Sequence, residues 1–80
     1  MTIDELRMIK EHILIRIKDM QEGEVTDCEG LIDPWVWDTT PTPERRYVFG
    51  KPVSWLVEQE EVPMEFIGYN TKRHNLYRKK

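Results

Sequence analysis

One cysteine, two histidines and four scattered glycines leave this 80-residue chain with little of what enzymes and metal proteins are built from. The lone Cys28 excludes an internal disulfide framework, and with only His12 and His74 beside it no zinc ligand set is spaced along the chain. Gly23, Gly30, Gly50 and Gly68 stand singly, so there is no glycine-rich phosphate cradle. No apolar run approaches the ~18 residues of a membrane span. The opening Met1-Thr2-Ile3-Asp4-Glu5 does not read as a signal peptide. A cytoplasmic protein without a membrane partner is the expectation, folded as one domain over residues 1–80.

The same scarcity removes most enzymatic readings. A histidine base needs a nucleophile and an orienting group within reach, and neither His12 nor His74 has them in sequence. Cys28 lies between Asp27 and Glu29, whose carboxylates disfavour the thiolate. Ser54 has no nucleophile-elbow context. An EF-hand loop started at Asp19 would place Gln21, Gly23 and Val25 at ligand positions, Glu24 at the turn glycine and Gly30 at the bidentate glutamate. No cofactor, metal or catalytic residue is expected.

What is present is charge, unevenly spread. All fifteen Asp and Glu fall within residues 1–66, together with seven of the twelve Lys and Arg. The last fourteen residues hold Lys72, Arg73, Arg78, Lys79 and Lys80 and no acid. Between Asp19 and Asp38 the chain carries seven acids and no Lys or Arg. Two surfaces of opposite sign attract different partners.

Local patterns give an α+β element order. Thr2 and Glu5 form a capping box, and Ile3, Leu6, Ile9, Ile13, Ile17 and Met20 recur at helical spacing up to a stop at Gly23. Residues 22–33 read as an acidic loop. Trp35 and Trp37 alternate as on a short strand, Pro34–Asp38, followed by a proline-stiffened turn. Thr42-Pro43-Glu44 starts a short helix to Phe49 with Gly50 as its stop; the alternative makes Arg45–Phe49 a strand paired with Trp35–Asp38. Pro52 opens a further helix to about Glu60, before Pro63. Met64–Tyr69 and Leu76–Lys79 form a hairpin with a basic tip.

Helix, short strand, short helix, helix and C-terminal hairpin resembles the winged helix-turn-helix arrangement in element order. On the other branch the chain becomes helix–hairpin–helix–hairpin with a four-stranded antiparallel sheet. The hairpin is the first functional candidate. Lys72, Arg73, Arg78, Lys79 and Lys80 are placed to contact phosphates, His74 and Asn70 to reach a groove or base, and Arg45, Arg46 and Lys51 to extend the surface if they fold beside it. The expectation from these residues is a regulatory, non-enzymatic nucleic-acid-binding protein. Against base reading stands the helix after Pro52, which ends in Glu58, Glu60 and Glu61 and offers only Ser54 and Gln59 as base-reading side chains. The alternative is an acidic interaction module or inhibitor, binding a basic protein, by nucleic-acid mimicry in one version, through Glu24, Asp27, Glu29, Asp33, Trp35 and Trp37. A thin core also allows a homodimer or an accessory subunit.

Overall fold

A computed structural model describes residues 2–80. Helix α1 spans Ile3–Lys18; Thr2 caps it, its Oγ1 accepting the Glu5 N–H at 3.1 Å. Asp4 and Glu5 in the first turn and Arg16 and Lys18 in the last complement the helix dipole. Its apolar stripe meets the core at Ile13 and Ile17, while Leu6 and Ile9 pack at the edge and Ile3 stays exposed. The helix ends at Lys18 rather than at Gly23. Gly23 instead serves a turn with φ of 86°, a conformation that glycine adopts without penalty.

The acidic stretch, expected to be a loop, contains two elements: strand β1, Val25–Asp27, and helix α2, Cys28–Leu31. Asp27 caps α2 by accepting the Gly30 N–H at 2.9 Å, and the turn buries Leu31 and Ile32. The Trp segment corrects the sequence reading outright. Pro34–Thr39 is a helix, α3, because Asp33 accepts the Trp35 N–H at 2.9 Å and Pro34 sits in the first turn. Trp37 packs on Phe49 with ring centroids 5.9 Å apart, and Trp35 remains outside at 73% exposure.

The disputed segment is helical too, which removes the hairpin alternative and its four-stranded sheet. Helix α4 covers Thr42–Arg45 and runs through a π-helical turn, Arg46–Gly50, into α5, Lys51–Glu58. Gly50 is therefore no stop; its φ and ψ of −58° and −53° are helical. Pro52 explains the wide turn. It lacks an N–H and its ring crowds the carbonyl four residues back, so the chain loosens and the Lys51 N–H bonds Arg46 O. Helix α5 buries Val53, Leu56 and Val57 and leaves Lys51, Trp55, Glu58 and Gln59 outward.

Strands β2, Met64–Tyr69, and β3, Asn75–Lys79, form the expected hairpin, and β1 pairs with β3. The result is a small α+β domain with a three-stranded antiparallel sheet in the order β1-β3-β2. Its inner face delivers Met64 and Tyr77 to a core shared with α1 and α5. Among the described residues no helix is long and apolar enough to cross a membrane.

Histidine 12 has a structural task. The Asp33 N–H donates to His12 Nε2 at 3.0 Å, which ties the start of α3 to the middle of α1. His12→Leu leaves that N–H unpaired and is expected to cost about 1–3 kcal/mol in urea denaturation, the usual penalty for an orphaned partly buried donor. A midpoint equal to that of the wild type would remove His12 from the account.

Candidate nucleic-acid interface

The hairpin tip is built around one side chain. Asn70 Oδ1 accepts the N–H groups of both Lys72 and His74 at 2.9 Å. The Asn70 backbone adds an N–H to His74 O and accepts from the Arg73 N–H, each at 3.0 Å. Asparagine suits this position because its short amide mimics a backbone turn. The closure places Arg73 at φ of 63°, a left-handed conformation that a non-glycine residue occupies at a cost. Lys72 and Arg73 are exposed and have no ion-pair partner among the described residues. His74 Nδ1 lies 4.0 Å from Asp27 Oδ2 on β1.

The other three cations of the C-terminal group are already engaged. Register pairs Glu65 with Arg78 across β2 and β3, and Arg78 Nε donates to Glu65 Oε1 at 2.7 Å. Lys79 Nζ donates to Met20 O at 2.6 Å, and Lys80 Nζ lies 3.8 Å from Glu60 Oε1. These bonds follow from β3 being the central strand, flanked by groups from both sides. Arg45 Nε donates to Thr40 O, and its guanidinium lies 5.0 Å from the centre of the Trp37 ring. Arg46 is exposed, and Lys51 sits 4.9 Å above Tyr47. Lys51 belongs to a separate groove, with Ile3, Leu6, Tyr47 and Trp55.

Beside the tip lies a feature that alternation in the sequence hides. Phe66 and Tyr69 are three residues apart, so a regular strand would point them to opposite faces. A bulge between Phe66 and Gly68, with Gly68 at φ of 133°, resets the alternation. Both rings now share the inner face, 5.3 Å apart edge to face, and Phe66 lies 6.3 Å from Tyr77. Asn75, opposite Tyr69, donates to the Tyr77 hydroxyl at 3.1 Å. Burial pushes the Tyr77 hydroxyl above its ordinary range, against the opposing pull of the Asn75 bond. A lone glycine inside a strand pattern, Gly68 between Ile67 and Tyr69, is the available signal for the bulge.

The acidic surface divides in the same way. Asp27 and Asp33 serve as helix caps, and Trp37 packs inward, whereas Glu24, Glu29 and Trp35 are exposed. Among the described residues no group of three or more His, Cys, Asp or Glu is placed to hold a metal ion. The chain matches no family model, no curated protein and no solved structure.

Cys28 is held as a thiol. Burial above all, then the Asp27 and Glu29 carboxylates, push its pKa from 9.0 up to about 12. The folded state thus favours the neutral form, and the stabilisation this gives is present below pH 9 and lost as the pH rises toward 12. A disulfide reagent at pH 8 is expected to modify the native protein at least ~10-fold more slowly than the urea-unfolded chain. The urea midpoint of the wild type is also expected to fall between pH 9 and pH 10.5 by more than that of Cys28→Ala. Equal labelling rates in the two states would contradict the buried thiol.

Proposed function

We propose that this chain is a small non-enzymatic binding protein of winged-helix-like architecture that contacts the backbone of a nucleic acid through the tip of its C-terminal hairpin. Support for the architecture comes from the element order and from the return of β3 to pair with β1; on this reading the hairpin is the wing. The observation that carries the function is the state of Lys72 and Arg73. Both project from a turn whose backbone Asn70 locks, and no carboxylate of the described residues neutralises them.

Arg73 adds a second indication. Stability alone favours glycine at a left-handed turn position, yet this one holds a long cation. His74 and Asn70 stand within the same turn. Arg78, Lys79 and Lys80 contribute to the potential of the surface rather than to direct contacts. Arg45, Arg46 and Lys51 remain secondary, because Arg45 and Lys51 are spent on aromatic rings. The outward side of α5 carries a single cation, Lys51, which sits over the Tyr47 ring, and beyond it Trp55 and Glu58; insertion into a major groove requires more positive charge than this, so the mode is backbone contact. An interaction with a basic protein through Glu24, Glu29 and Trp35 is the second reading; it rests on the exposure of Trp35.

Fluorescence anisotropy with labelled duplex and single-stranded oligonucleotides at ~50 mM salt tests the proposal. Two phosphate contacts imply roughly a 10-fold loss of duplex affinity on raising salt to ~200 mM. The double variant Lys72→Glu, Arg73→Glu is expected to abolish binding while Arg78→Ala weakens it little. Failure of the wild type to bind any of these oligonucleotides would contradict the function.

A further inference from the structure

We infer that the nucleic acid held by the hairpin tip is single-stranded, its bases stacking in the groove between α5 and the inner face of the sheet. This rests on the backbone-contact reading above and names its substrate. The groove has a volume of about 440 Å³ and includes Ser54, Glu58, Phe66, Tyr69, Asn75 and Tyr77. Two of its aromatic rings are open to solvent, Phe66 at 49% and Tyr69 at 68% exposure. Leaving such rings uncovered forfeits apolar burial that a thin core needs, whereas every nucleobase has a face that can stack on them. Tyr69 precedes Asn70 directly, so the stacking ring and the cations Lys72 and Arg73 lie at the same end of the hairpin.

Charge decides between one strand and two. Three carboxylates line the groove, Glu58, Glu60 and Glu65; Arg78 pairs with Glu65 and Lys80 lies 3.8 Å from Glu60, which leaves Glu58 without an ion-pair partner among the described residues. A duplex approaching both the tip and α5 would press one phosphate backbone against these carboxylates. A single strand avoids the conflict: its phosphates follow the tip and its bases turn inward. Carboxylates at the groove wall suit base edges, since they accept hydrogen bonds from ring imino and exocyclic amino N–H groups. The Asn75 carboxamide and the Ser54 hydroxyl supply further polar contacts. The bulge at Gly68 is what makes the platform, because it brings both rings to the inner face.

The test compares a fluorescein-labelled dT15, an rU15 and a 15-base-pair duplex at ~50 mM salt. At least one single strand is expected to bind about 10-fold or more tightly than the duplex, with the two strands separating DNA from RNA preference. Tyr69→Ala is expected to weaken single-strand binding by roughly 5- to 100-fold and Tyr69→Trp to retain it, with duplex binding unchanged in both. Tyr69 is largely exposed, so both variants are expected to keep the wild-type circular dichroism spectrum. Lys72→Glu, Arg73→Glu should abolish binding of every probe. Equal or tighter duplex binding, or a Tyr69→Ala variant with undiminished single-strand affinity, overturns this inference and leaves the backbone-contact reading standing. Absence of binding to all three probes overturns both.

Discussion

Everything specific about this protein depends on β3 lying in the middle of the sheet. Its pairing with both β1 and β2 satisfies the backbone of the C-terminal segment on two sides and inserts Tyr77 into the core at 1% exposure. Central placement also has an electrostatic consequence. Side chains on a middle strand have neighbours to either side, so Arg78 meets Glu65 and Lys79 reaches the Met20 carbonyl. The positive charge of the C-terminus is therefore largely spent on holding the fold. Only where the hairpin extends past β1, at its turn, does charge stay uncommitted.

A second constraint acts on the same hairpin. Strand alternation is rigid, and a shift of one residue reverses every side chain. The bulge before Gly68 uses that rigidity, turning two rings that would oppose each other into neighbours 5.3 Å apart. Aromatic surface and free cations thus meet at one end of the molecule. The acidic stretch earlier in the chain is quieter than its composition implies. Asp27 and Asp33 are occupied in starting helices, where a carboxylate accepts free backbone N–H groups and suits the positive end of the helix dipole.

Legibility in the sequence followed the range of the interactions. Helix α1 carries its own cap and stripe, and the hairpin its own turn, so both could be read locally. Helix α3 was misread because Trp35 and Trp37 suggested alternation, although Asp33-Pro34 ahead of them is a helix start. Strand β1 has three residues and exists only through its pairing with β3, roughly fifty positions away, and nothing local announces it. The continuity of α4 into α5 depends on how a helix relaxes around Pro52, which overrode Gly50 as a stop. Of the candidate site, the tip residues were evident from composition. Which cations are free depends on cross-strand register, and Phe66 joins Tyr69 on one face only through the bulge, which strand alternation does not announce.

The central claim is that the uncommitted charge and open aromatic surface that coincide at the β2–β3 turn form the binding surface. Titrating the isotopically labelled protein with dT15 and following backbone amide shifts tests it most directly. The account requires the largest shifts at residues 66–75, with the amides of Glu29 and Trp35 unmoved. Shifts centred on Glu24, Glu29 and Trp35, or on Lys51 and Tyr47, with a silent hairpin turn, would contradict it.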